Sequence, residues 1–172
     1  MDYYLLKQDE RYTNIPQIKN FFQVINSRDL NPLRADNIPE NNSFFVKTSK
    51  NNQFIDIIDK PIFLVCEDMR KIIGKYNRNI IFKRIALIDH ENMKQKIYNI
   101  PIWEEVEALH EDSELKFNVV KKIVLDKEKI KDKKIFKIKE SDKTLIVIRL
   151  DVAESLLRRD FDGLSLERLE VK

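Results

Sequence analysis

Glycine is nearly absent from this chain, which has only Gly74 and Gly163 among its 172 residues. Loops that cradle a phosphate or a dinucleotide need several glycines, because their backbone N–H groups must approach the phosphates closely. The serine nucleophile elbow likewise needs a glycine two positions away on each side of the serine. The sequence therefore excludes a Walker loop, a dinucleotide-binding fingerprint and the hydrolase elbow.

Cysteine and long apolar runs are also scarce. Cys66 is the only cysteine, so the chain forms no internal disulfide and fits a reducing compartment. No apolar run approaches the roughly 20 residues that span a bilayer. Residues 1–7 lack the basic segment and the long apolar stretch of a signal peptide. We expect a cytoplasmic protein without a membrane partner.

The bulk composition is that of an ordinary soluble domain. Hydrophobic residues make up 42% and charged residues 35% of the chain. The net charge of +3 gives no strong field to attract nucleic acid, so we expect no nucleic-acid partner. We predict a single domain over residues 1–172, with possible subdomains 1–100 and 101–172 that each hold one copy of a repeated unit.

The repeated unit is visible as two stretches, 62–87 and 146–171, whose apolar patterns superimpose without a gap. Each reads as an apolar run, an amphipathic helix and a second apolar run, which predicts a strand–helix–strand unit used twice. This alignment places Ile73 and Leu157 on the core faces of two helices. The aligned apolar pairs include Ile62 with Ile146, Leu64 with Ile148, Ile73 with Leu157, Ile80 with Leu164 and Ile85 with Leu169.

The pattern as a whole predicts an α+β fold, in which a mixed β-sheet carries two short helices. Asp151 and Glu154 are predicted to cap the second helix. Pro101 favours an edge or a bend for the short extended segment 98–103. Further strands are expected at residues 3–7, 21–25, 43–48, 121–125 and 135–138.

Two histidines are candidates for metal chemistry. His90 and His110 each lie beside carboxylates, which is the composition of a metal site. Neither belongs to an HExxH motif, and charged loops produce such triplets freely. We therefore predict no metal, no cofactor and no catalytic residue, and a metal site at the histidines is the alternative.

Cys66 is a candidate nucleophile, because it starts the first predicted helix and a helix N-terminus lowers a thiol pKa. Its aligned partner in the second stretch is Leu150, which favours a small buried side chain that packs in the core. We predict the packing role.

Charges are segregated along the second half of the chain. Residues 121–143 contain ten lysines and five acids, and the lysines alternate with apolar residues as on solvated strand edges. An acidic stretch follows Tyr98 and Trp103, and an aromatic anchor beside acids suits a basic protein partner. The alternative is a solvated loop with Trp103 in the core. The predicted partner-binding residues are Tyr98, Trp103, Glu104, Glu105, Glu107, Glu111, Asp112 and Glu114.

Three groups of segments together resemble a family of bacterial proteins assigned as immunity proteins of polymorphic toxin systems, long described only as a conserved domain of unknown function. Cys66 stands where the family usually has a serine, and Lys137 stands where it has an arginine. The resemblance covers the chain from Pro61 onward. The segments are Pro61–Arg70; then Asp112–Glu114, Ile123–Asp126 and Lys134–Ile138; and finally Ile146–Leu150, Leu156–Leu157 and Asp162–Leu166.

The resemblance implies a protein that sequesters and inhibits a cognate toxin domain without catalysing a reaction. Such inhibition needs complementary shape and charge over about 800 Å² per partner rather than a reactive group. Two alternatives stay open. One is an enzyme or nucleic-acid-acting protein that uses the histidines and acids, and the other is a regulatory adaptor with a different partner.

Overall fold

The computed structural model describes all 172 residues and has an α+β fold built mostly of strands. None of its helices combines the length and the apolarity needed to span a membrane. The α-helices are α1 (Phe21–Val24), α2 (Glu67–Tyr76) and α3 (Leu150–Leu157). The strands are β1 (Tyr3–Gln8), β2 (Asn41–Phe45), β3 (Ile57–Ile58), β4 (Leu64–Cys66), β5 (Ile81–Asp89), β6 (Lys94–Ile102), β7 (Glu105–Val106), β8 (Glu114–Lys116), β9 (Val119–Lys122), β10 (Val124–Leu125), β11 (Ile135–Ile138), β12 (Ile146–Arg149) and β13 (Leu164–Val171).

The strands form two mixed sheets and a separate hairpin of β8 and β9. The six-stranded sheet has the order β10-β13-β1-β12-β11-β7, and the five-stranded sheet has the order β2-β5-β6-β4-β3. β1 is antiparallel to both of its neighbours, and so is β6. Because β1 comes from the start of the chain, the six-stranded sheet combines residues from both possible subdomains, 1–100 and 101–172.

Helices α2 and α3 pack in the central core between the two sheets. Met69 and Ile73 of α2 and Val152 and Leu156 of α3 are fully buried. They belong to one cluster with side chains from both sheets. The buried positions recur at helical spacing, so each helix presents one apolar stripe to this core. The sheet faces that point toward the helices are called the inner faces below.

The outer face of each sheet is covered by loops and, over the five-stranded sheet, also by the single turn α1 through Phe21, rather than by α2 or α3. The central strand of each sheet sends a tyrosine into its outer cluster. The Tyr98 hydroxyl of β6 donates to the Ile55 carbonyl at 2.7 Å, and the Tyr3 hydroxyl of β1 donates to the Lys133 carbonyl at 3.0 Å. These bonds satisfy hydroxyl groups that burial would otherwise leave without a partner.

The gapless alignment of the two apolar stretches is wrong in its first part. Leu157 is 58% exposed, whereas its aligned partner Ile73 is fully buried. The preceding residue, Leu156, is fully buried and so matches Ile73. Leu64 packs in an outer cluster, while its aligned partner Ile148 packs in the central one. A shift of one residue moves a strand side chain to the opposite face. The burial of the first strands and of the helices matches between the two stretches only when one is shifted by one residue, with the extra residue before β13.

Three local predictions also differ from the structure. Phe21–Val24 is a single helical turn rather than a strand, with only its first residue buried. Helix α3 has Arg149 at its N-cap, and Asp151 accepts two hydrogen bonds from that guanidinium, at 2.9 and 2.7 Å, instead of forming the expected cap pair. Segment 98–103 largely belongs to the longer central strand β6, where Pro101 lies beyond the residues that pair with β4.

Candidate partner-binding surface

The predicted acidic stretch, residues 104–114, runs from an edge of the six-stranded sheet to the base of the β8–β9 hairpin. Its six acidic side chains are all exposed. Glu105 lies in the edge strand β7, which pairs in parallel with β11, and Lys137 is its register partner. The fold therefore brings the basic stretch 121–143 directly beside the acidic one.

Ion pairs between the two stretches neutralise much of the acidic charge. The hydrogen bond from Lys139 lowers the pKa of the Glu107 carboxyl. Exposed pairs of this kind contribute little to stability, but they cancel much of the field that a basic partner would sense. The pairs are Glu104–Lys133, Glu105–Lys137 at 2.7 Å and Glu107–Lys139 at 2.8 Å.

The remaining acids lie near the hairpin. Asp112 pairs with Lys172, and the hydrogen bond from that ammonium lowers the pKa of Asp112. Glu111 and Glu114 are exposed and form no ion pair. Only these two of the six acids therefore present an uncompensated negative charge.

The aromatic anchors predicted for this surface are buried, so that part of the prediction is wrong. Tyr98 has no exposed area, because it lies on the outer face of a central strand. Trp103 is only 4% exposed and packs edge to face against Phe63, with 5.6 Å between the ring centroids. Neither side chain is available to a partner.

The residues considered for chemistry are separated in the structure. His90 follows β5 at the end of the five-stranded sheet, whereas His110 lies beside β10 of the six-stranded sheet, where its backbone N–H donates to the Val124 carbonyl. No group of three or more His, Cys, Asp and Glu side chains is arranged to hold a metal. Cys66 is buried, and burial raises the pKa of its thiol, so it packs as a small core residue.

A different surface emerges on the inner face of the five-stranded sheet, beside the first turn of α2. We call it the open face, and its centre consists of Phe45, Ala86, Ile88 and Ile97. Ile88 is the register partner of Phe45 in β2, and Ala86 is the register partner of Ile97 in β6. Phe45 is 55% exposed and Ile97 is 40% exposed. The four side chains thus form a contiguous apolar group across three neighbouring strands.

The alternation of side chains along β5 assigns the open face to the inner side. Phe82 packs against the central cluster, whereas Ile85 and Leu87 pack in the outer cluster. Successive side chains of a strand point to opposite faces. Ala86 and Ile88 therefore share the inner face with Phe82 but lie further along the strand.

Helix α2 leaves the open face uncovered because its first residue lies over a strand position that is further from the β5–β6 turn than the open face is. The carboxylate of Glu67, the first residue of α2, accepts a hydrogen bond from the Asn99 side-chain amide at 3.0 Å. Asn99 is the register partner of Arg84. Strand positions between this register and the β5–β6 turn consequently have no helix above them.

Polar and charged groups border the open face. The Arg70 guanidinium lies 2.6 Å from a Glu67 carboxylate oxygen, and this hydrogen bond is the main cause of the lowered pKa of Glu67. Arg84 adds to that lowering through its charge and has no ion pair within 4 Å. The His90 ring meets the Phe45 ring edge to face, at 6.3 Å between centroids. An apolar centre with a polar rim is the usual anatomy of a protein–protein interface.

The sequence does not indicate this surface, because Ile85–Ile88 is a continuous apolar run, which is typical of a strand buried on both faces. Exposure at its end depends on where α2 begins relative to β5, and that is a tertiary property. One signal was present in the pair Phe44–Phe45. Adjacent strand residues point to opposite faces, so one phenylalanine had to lie away from the cluster that buries the other.

Comparison with models of known protein families finds no match, and comparison with curated proteins finds no similar sequence.

Proposed function

We propose that this chain is a non-enzymatic binding protein that sequesters a protein partner on the open face. The observation that carries the proposal is the contiguous apolar group of exposed Phe45 and Ile97 with partly exposed Ala86 and Ile88, which spans three strands beside a polar rim. Exposed apolar patches with such a rim mark interaction sites. A rigid sheet presents these side chains at little entropic cost, which favours tight binding.

The partner that we propose is the toxin domain of a polymorphic toxin system, so that the chain acts as an immunity protein. The resemblance of the chain from Pro61 onward to that family supports this choice. An inhibitor of this kind works by occupying about 800 Å² of its partner, and the open face supplies the apolar centre of such an area. The unpaired acids Glu111 and Glu114 are proposed as a separate peripheral contact for basic groups of the toxin.

We also propose that the strand–helix–strand unit is used twice, with the one-residue shift described above. The shift aligns Met69 with Val152 and Ile73 with Leu156, and all four side chains are buried. Phe82 and Leu166 then correspond without the shift, and both pack against the central cluster. The two units thereby build one core in common.

The test of the binding function is capture of the toxin domain encoded beside this gene, in a catalytically inactivated form. Phe45→Asp and Ile97→Asp should each weaken the dissociation constant by at least about 30-fold, as truncation of a central anchor does. The matched control is Leu33→Asp, because Leu33 is 97% exposed and lies outside the open face. The control should bind within about threefold of the unmodified chain.

Equal binding by all three variants would show that the open face is not the interface. A neighbouring gene for a metabolic enzyme in place of a toxin would remove the immunity role. Melting temperatures of the variants, measured in parallel, separate lost binding from lost folding.

A further inference from the structure

The charges around the open face are unbalanced. On the inner face of the sheet, Arg84 and Lys47 are exposed and lie in no ion pair. Glu67 forms its ion pair with Arg70, and the charge of Arg84 acts on the Glu67 carboxylate only from a longer distance. The β5–β6 turn adds the acid Glu91, whereas Lys94 begins β6 on the outer face, where its register partner is Asp89. Cations therefore exceed anions by one at the rim, counting Lys47, Arg70 and Arg84 against Glu67 and Glu91.

Arg84 is a cation that adjoins the apolar centre. It is two residues from Ala86 on the same strand face, and its register partners in the neighbouring strands are Asn41 and Asn99, which are neutral. A partner that covers the open face removes water from this guanidinium. Burying an uncompensated charge is costly, so the partner must bring a carboxylate to it.

We propose that the open face selects an acidic protein segment, in which an apolar side chain packs on Phe45 and Ile97 while a neighbouring carboxylate pairs with Arg84. The proposal rests on the binding function given above and adds the chemistry of the partner. A nucleic acid is a poorer fit, because the centre of the patch is mainly aliphatic and the excess of cations is small. The charge complementarity also predicts that electrostatic attraction speeds association.

The inference is testable without a known partner. A phage-displayed library of random twelve-residue peptides is selected on the full chain and counter-selected on the Phe45→Asp variant. The enriched peptides should combine Phe, Leu or Ile with an excess of Asp and Glu. The tightest synthetic peptide should bind Arg84→Glu at least about tenfold more weakly, and its affinity should fall as salt rises.

One control variant and one further selection sharpen the result. Arg78→Glu reverses an exposed arginine at the far end of α2, and it should leave peptide affinity unchanged. Selection on Arg84→Glu itself should enrich basic peptides. Enrichment of basic or uncharged peptides on the unmodified chain, or equal affinity for both arginine variants, overturns the proposed chemistry.

Other occupants give distinct outcomes. Binding of a fluorescent 20-nucleotide single strand that Phe45→Asp abolishes would assign the face to nucleic acid. A concentration-dependent dimer in sedimentation that Phe45→Asp abolishes would assign it to a second copy of the chain. Acidic peptides that bind while the toxin domain does not would uphold this inference and remove the immunity role. Toxin capture that Arg84→Glu leaves unchanged would uphold the function and remove the acidic contact.

Discussion

Each sheet has a strand that leads into a helix of the central core, β4 into α2 and β12 into α3, but the two sheets end differently beyond these helices. In the five-stranded sheet, the inner-face positions of β5 beyond Arg84 hold Ala86 and Ile88, which remain accessible. In the six-stranded sheet, the corresponding positions beyond Arg168 hold Glu170 in β13 and Lys172 directly after it. The six-stranded sheet ends in charged side chains, and the five-stranded sheet ends in accessible apolar ones.

Ion pairs complete the charged end of the six-stranded sheet. Lys172 pairs with Asp112, and Lys122 of the β8–β9 hairpin lies 3.6 Å from Glu170. The Ser113 hydroxyl fixes the base of the hairpin by donating to the Val124 carbonyl at 2.8 Å. No hairpin of this kind lies over the end of the five-stranded sheet. Whether the end of a sheet is charged or apolar therefore depends on a few alternating strand positions.

The largest expected effect tests how the two helices correspond. Ile73→Ala and Leu156→Ala should each reduce the free energy of unfolding by about 2–5 kcal/mol, because both side chains are fully buried. Leu157→Ala is the matched control, and its exposed side chain should cost less than about 1 kcal/mol. Denaturant melts measure all three. A loss at Leu157 as large as the loss at Leu156 would restore the gapless correspondence.

The two glycines give the next contrast. Gly163 has a φ of +81°, and a Cβ there would lie 2.5 Å from Ile55 Cδ1. Gly163→Ala should therefore destabilise by about 1–3 kcal/mol. Gly74 lies within α2, and its Cβ would meet only Phe82 at 4.0 Å. Gly74→Ala should stabilise by about 0.5–1 kcal/mol. Thermal melts that shift in the same direction for both variants would contradict this contrast.

A charge transplant addresses the comparison of the sheet ends directly. Ala86→Glu combined with Ile88→Lys gives the five-stranded sheet the residues of the other sheet. Stability should change by about 1 kcal/mol, because both positions are partly exposed. Capture of the toxin domain should be lost. The reverse transplant, Glu170→Ala with Lys172→Ile, should create a new apolar patch and promote self-association, which sedimentation would detect.

The smallest expected effect concerns stability at low pH and the carboxylate of Asp89, which precedes the β5–β6 turn. The Asp89 carboxylate accepts hydrogen bonds from Asn92 at 2.9 Å and Asn52 at 3.0 Å, and these bonds lower its pKa to about 2. A lowered pKa adds stability above the unfolded value of about 3.9, and this stability is lost as the pH falls toward 2. Asp89→Asn should therefore be less stable than the unmodified chain at pH 7. The difference in melting temperature should shrink between about pH 4 and pH 2, and a difference that stays constant would contradict this role.

The fold class followed from the sequence because strand and helix periodicities are local. The helices after Cys66 and Arg149 and the strand over Ile135–Ile138 lie close to where their apolar patterns place them. The register between the two units did not follow. A pattern of apolar residues fits two neighbouring registers almost equally well, and only packing across the core distinguishes Leu156 from Leu157.

The candidate surface was less predictable than the fold. Local composition correctly marked the acidic stretch as exposed, but it did not reveal that β7 and β11 pair in parallel and bring Lys137 to Glu105. Local composition also favours Trp103 as a surface anchor, although this side chain is buried. The burial of this side chain depends on Phe63, which lies 40 residues earlier in the chain. Contacts of such sequence separation leave no local signal.

The position of β1 has a consequence for the order in which the protein folds during synthesis. Tyr3 pairs with Leu169 on one side and with Arg149 on the other, so this strand finds its neighbours only when the last strands have been made. All strands of the five-stranded sheet lie between Asn41 and Ile102 and are complete much earlier. Local contacts form before distant ones. The half of the molecule that carries the open face can therefore form its paired sheet first, before the C-terminal strands have been synthesised.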